Sequence, residues 1–90
     1  MREQIVEILI FRKIAEEMER AAAAHAPFPV GLPERCALIL AEECGEVAKE
    51  ALNCTRPTGV DTVRRLREEL YQVAAVCIMW LEYLEKEATR

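Results

Sequence analysis

The sequence predicts an all-α protein, with three main helices per chain that complete a four-helix-type bundle by dimerisation. Three observations carry this reading. Apolar residues recur at helical spacing along three long segments, no segment alternates with period two, and every proline falls between these segments or at the start of one. With 90 residues, 52% hydrophobic and 31% charged, the composition is that of one globular domain spanning 1–90 and not of a disordered chain.

The first helix is predicted from about Arg2 to Ala24, where Ile5, Ile8, Leu9, Ile14, Ala15 and Met18 recur between charged residues. Its closing alanines favour helix until His25-Ala26-Pro27-Phe28-Pro29 stops it. Pro33 suits the first position of a second helix, and Glu34 in the first turn suits its dipole. This helix is expected to end near Leu52, with Asn53 in the left-handed conformation. Cys54 to Val60 reads as a connecting loop, and Asp61 or Thr62 as the cap of a third helix reaching nearly to Arg90. Between Leu70 and Leu81 that helix is apolar almost all round. A helix of that kind is covered on several sides, which a dimeric bundle achieves more readily than three helices alone. The stretch from Val73 to Leu81 is therefore expected in or beneath a subunit interface.

Charge and cysteine usage exclude several classes of function. A formal net charge of −4 argues against binding duplex nucleic acid, which calls for a basic face. The N-terminal residues do not have the form of a signal peptide, and the apolar run from Val73 to Leu81 is far shorter than the roughly 20 residues a membrane span needs. A cytoplasmic protein without a membrane partner is expected. Cys36, Cys44, Cys54 and Cys77 form no C-x-x-C pair and have only His25 to join them, so they read as buried thiols in a reducing compartment, not as a zinc site.

The carboxylates carry the chemistry. At about 100° per residue, Cys36, Leu40, Cys44, Val47 and Ala51 form the apolar stripe of the second helix, with Glu43, Glu46 and Glu50 along one border and Glu42 and Lys49 further out. On the third helix Glu69 falls inside the stripe of Leu66, Val73, Val76 and Trp80, flanked by Gln72, Arg65 and Tyr83. A glutamate there must be paired, coordinated or protonated. Two readings are open: an ordinary ion-pair network, or carboxylates facing one another across two helices around a divalent cation.

Glu42-Glu43-Cys44-Gly45-Glu46, followed on the next helix by Glu69-Leu70-Tyr71-Gln72, resembles the E-E-x-x-E and E-x-x-D motifs of the MazG-like all-α nucleoside triphosphate pyrophosphatases. The resemblance implies magnesium-dependent hydrolysis of a nucleoside triphosphate to monophosphate and pyrophosphate, by a homo-oligomer that is a dimer or tetramer, with manganese as a substitute metal. It implies Glu43, Glu46 and Glu69 as metal ligands. Gln72 stands where the family pattern has aspartate; its amide oxygen can coordinate but brings no charge. In this scheme Glu42, Glu46 or Glu50 orients the attacking water, while Lys49, Arg65, Tyr83 and Lys86 are candidate substrate contacts, with Arg35 and Arg64 as further cations. Phe11, Phe28, Tyr71 and Trp80 are the aromatic residues available to a base, and Trp80 by its place in the stripe is core. The alternatives are a non-catalytic helical module that dimerises or senses nucleotide, and a phosphoribosyl-ATP pyrophosphatase.

Overall fold

The computed structural model describes residues 1–24, 28–55 and 61–89, and forms three helices: α1 (Arg2–Ala24), α2 (Pro33–Asn53) and α3 (Thr62–Ala88). No strand occurs among the described residues. The expected stop at His25-Ala26-Pro27, the loop residues 56–60 and Arg90 lie outside them.

The helix ends follow local chemistry only in part. Pro33 opens α2, where its missing N–H removes nothing the first turn would have used. The left-handed ending expected at Asn53 does not occur: Cys54 closes α2 in the right-handed region, its N–H donating to Glu50 O at 3.1 Å and the N–H of Thr55 to Leu52 O at 3.1 Å. Those bonds satisfy the final carbonyls by continuing the helical path, so no reversal of hand is needed. Asp61 precedes α3 without a side-chain cap bond. Its carboxylate stands 3.8 Å from Arg64 Nε instead.

α3 is the central helix. It packs against both α2 and α1, whereas α1 and α2 make no contact with each other among the described residues. α2 runs antiparallel to α3: Glu50 in its last turn meets Arg65 near the start of α3, and Gly31 just before α2 lies beside Tyr83 near α3's end. The central position explains the all-round apolar stretch. Ala75 and Val76 are buried and residues 71–80 are otherwise half-buried, covered from two sides by helices of the same chain.

Two stripes differ from expectation. On α1 only Ile14 and Ala21 are buried, while Ile5, Ile8, Leu9 and Ala15 are exposed. On α2 the packed face is turned toward the carboxylates: Cys36 and Glu50 are buried and Ile39, Leu40, Glu43 and Val47 half-buried, but Cys44 and Ala51 face outward. Of the thiols, then, only Cys36 is fully buried. It donates to Pro29 O at 3.0 Å, and burial pushes its pKa up. Among the described residues no helix is long and apolar enough to cross a membrane.

Candidate functional site

The turn of α2 toward its acidic border brings the predicted carboxylates against α3. Glu43 and Glu50 are two turns apart on the packed face of α2, with Glu46 between them on its exposed margin. Opposite them Glu69 and Gln72 sit on adjacent turns of α3. With its amide nitrogen facing the carboxylates, Gln72 donates to Glu43 Oε2 at 2.6 Å and to Glu69 Oε2 at 3.0 Å. This orientation is assigned by complementarity, since the reverse sets the amide oxygen against acceptors only.

Crowding of like charge shows in Glu69. Burial, a hydrogen bond to Glu43 and the negative charges of Glu43, Glu46 and Glu50 together raise its pKa from 4.5 to about 7. Near neutral pH the group is therefore partly protonated, which lessens the repulsion among the neighbouring carboxylates. Glu50 is settled differently. Only 7% exposed, it accepts from Arg65 Nε at 3.2 Å, so a carboxylate desolvated by packing keeps a cation beside it.

The donor set is entirely oxygen, carboxylates and one amide, the hard ligands that magnesium and manganese take. The residues present fit such an ion by donor chemistry. As arranged, the Gln72 nitrogen takes up one oxygen each of Glu43 and Glu69, and among the described residues no group of three His, Cys, Asp or Glu side chains is placed to hold a metal. A half-turn of the amide would present its oxygen in place of the nitrogen.

The other predicted residues are dispersed. Glu42 and Lys49 are exposed and make no hydrogen bond or ion pair among the described residues. Arg65 is engaged by Glu50. Tyr83 and Lys86 line a different cavity of about 460 Å³, mostly apolar, with Met18, Phe28, Val30 and Met79. It lies three turns beyond Gln72 along α3, about 16 Å away at 1.5 Å per residue. Of the aromatic candidates, Phe28 joins this cavity, Trp80 is half-buried in the α3 stripe, and Phe11 is 64% exposed.

Sequence reading missed two features. One is the Glu50–Arg65 pair, whose signal was only that both residues bordered apolar stripes. The other is a cleft of about 520 Å³ between α1 and α3, where Lys13, Arg20, Arg64 and Arg67 adjoin Tyr71 and Gln72. Three of these cations are already paired within their own helices: Lys13 with Glu16, Arg20 with Glu17 and Arg64 with Glu68. The repeated i, i+3 and i, i+4 charge pairs were visible in the sequence, but not that the two helices set them face to face.

No family model, curated protein or solved structure matches this chain.

Proposed function

We propose that this chain is a magnesium-dependent nucleoside triphosphate pyrophosphohydrolase of the MazG-like kind, or a nucleotide-binding relative of one, working as a homo-oligomer. The observation that supports this reading is the convergence of Glu43 and Glu69, drawn from two helices, on the Gln72 amide, with Glu46 near enough to raise Glu69's pKa. Carboxylates gathered from facing helices suit a divalent ion bridging protein and polyphosphate.

Glu43, Glu46 and Glu69 would hold the ion, which when bound supplies charge neutralisation and orientation of the phosphates. To hold it, Glu69 would give up its proton, and Gln72 would present its amide oxygen as a neutral fourth donor. Glu42, exposed on α2, is the carboxylate free to orient water, and Glu46 would contribute only the oxygen not taken by the ion; Glu50 is held by Arg65. Lys49 is an unengaged cation for phosphate, and the cavity of Phe28, Tyr83 and Lys86 is an apolar slot for a base.

The test is pyrophosphate release across ribo- and deoxyribonucleoside triphosphates, with magnesium and then manganese. Turnover of at least one substrate is expected, with its loss in Glu46→Ala. A second reading, a non-catalytic nucleotide-sensing or dimerising module, is favoured by the same Gln72 amide, because a neutral donor already bridges Glu43 and Glu69. Nucleotide binding without turnover would select it, and neither binding nor turnover would refute both nucleotide readings.

A further inference from the structure

The cleft of about 520 Å³ between α1 and α3 is lined by two charged faces. Lys13, Glu16, Glu17 and Arg20 stand at i, i+3, i+4 and i+7 on α1. Arg64, Arg67, Glu68 and Tyr71 stand at the same intervals on α3, so each set occupies one side of its helix over two turns. The ion pairs in the cleft all run along a helix, and among the described residues none crosses from α1 to α3. The other side of α3 differs, because there the Glu50–Arg65 pair and the bond from Gln72 to Glu43 join α2 to α3. The chain's own charges therefore leave the α1–α3 cleft unbridged.

Four cations meet three carboxylates in its lining, a local excess of positive charge in a chain of net charge −4. Arg67 supplies that excess: among the described residues it makes no hydrogen bond or ion pair. Arg20 hydrogen-bonds to Glu17 through Nε and Arg64 to Glu68 through one terminal nitrogen, so both guanidinium groups keep further N–H donors uncommitted among the described residues. Asp61, 3.8 Å from Arg64 Nε, is an ion pair without a hydrogen bond and stands outside the lining.

We propose that this cleft is a binding site for the phosphate groups of a small molecule, with Arg20, Arg64 and Arg67 as the donors and the half-buried Tyr71 as a wall. A guanidinium presents a planar fork that meets two phosphate oxygens at once, and a phosphate has oxygens enough for more than one fork. Arg20 and Arg64 are 51% and 59% exposed. Pairs along such exposed helix faces contribute little, so either arginine turns from its carboxylate to a phosphate at small cost. The volume lies within the roughly 300–1,000 Å³ of small-molecule sites, more than a lone ion fills. The carboxylate cluster is separate: Gln72 lies between, lining the cleft while its amide bonds Glu43 and Glu69. The assignment therefore does not rest on the nucleotide reading, and holds or fails whether or not the chain hydrolyses a nucleotide.

The experiment is calorimetric titration of the full chain with inorganic tripolyphosphate in buffer free of divalent ions, where the carboxylate cluster can only repel the probe. Saturable binding at one site per chain is expected. Arg67→Gln should weaken it about 10-fold, the loss of one charge-assisted contact at an exposed position, and adding Arg20→Gln should weaken it further. Arg2→Gln removes the same charge at the far end of α1 and should leave binding unchanged. Absence of saturable binding, or equal weakening by Arg67→Gln and Arg2→Gln, overturns the proposal. Should Arg67→Gln lose its helical circular dichroism, the ring resonances of the wild type decide: a tripolyphosphate-dependent shift of Tyr71 without one of Tyr83 supports the cleft, and no shift of Tyr71 overturns it. A parallel titration with adenosine triphosphate separates the sources of phosphate. Tighter Arg67-dependent binding than tripolyphosphate assigns the cleft to a nucleotide, equal or weaker binding assigns it to another phosphorylated molecule, and either supports the site.

Discussion

Replacing Gln72 with aspartate tests the carboxylate site directly, because a neutral amide donor gives way to a shorter, negatively charged acceptor. The Gln72 nitrogen donates to Glu43 at 2.6 Å and to Glu69 at 3.0 Å. Hydrogen bonds to charged groups contribute about 1.5–3 kcal/mol each. Glu43, Glu69 and Gln72 are half-buried, so solvent offsets part of that, and about 2–3 kcal/mol in total is a reasonable loss once both bonds go and a new carboxylate joins Glu69. At about 4–8 °C per kcal/mol for a domain of this size, the variant should melt about 10–20 °C lower without divalent ions, at matched protein concentration. Millimolar magnesium should then restore much of the loss. The added charge a few ångströms from a divalent ion favours its binding by about 1 kcal/mol or more after screening, several-fold in affinity. Thermal melts with and without magnesium, and calorimetric titration of both proteins, provide the readout. A variant that magnesium leaves unstable, or that binds the ion no more tightly than the wild type, would refute the account of Gln72 as a charge-deficient ligand.

Three further outcomes follow from the same geometry. The folded protein holds on Glu69 a proton that the unfolded chain releases, since the pKa is raised from 4.5 to about 7; stability is therefore full below about pH 4.5 and falls as pH rises to about 7, and Glu69→Gln should flatten urea-derived stability over that window. Arg65→Leu strands the buried Glu50 carboxylate and should cost about 1–3 kcal/mol by urea unfolding, the lower end reflecting Arg65's own half exposure, whereas Arg65→Leu combined with Glu50→Leu should recover most of it. Ala75 is fully buried at the centre of α3, so Ala75→Leu should overpack the contact with its neighbours and lower stability by about 1–3 kcal/mol; an unchanged melting temperature would place α3 elsewhere than at the centre.

What the sequence determined by itself was local. Proline placement and apolar recurrence located the three helices, because helix formation depends on neighbours within a turn or two. The expectation that Glu69 needs a partner was also local, since it lies within its own helix's apolar stripe. Which face of α2 is packed, and hence that Glu50 rather than Cys44 goes inside, was decided only when α2 met α3. Stripes broad enough to include both borders leave a rotation of tens of degrees open, and only the packing of α2 along α3 closes it. The same holds for α3, whose apolar girth reads as a subunit interface from the sequence, while the tertiary structure sets α1 and α2 of the same chain against it. The uncovered first half of α1 was illegible for the matching reason: a recurring apolar stripe shows that a face must be buried, but only the tertiary contacts show how far along the helix the rest of the chain reaches to cover it.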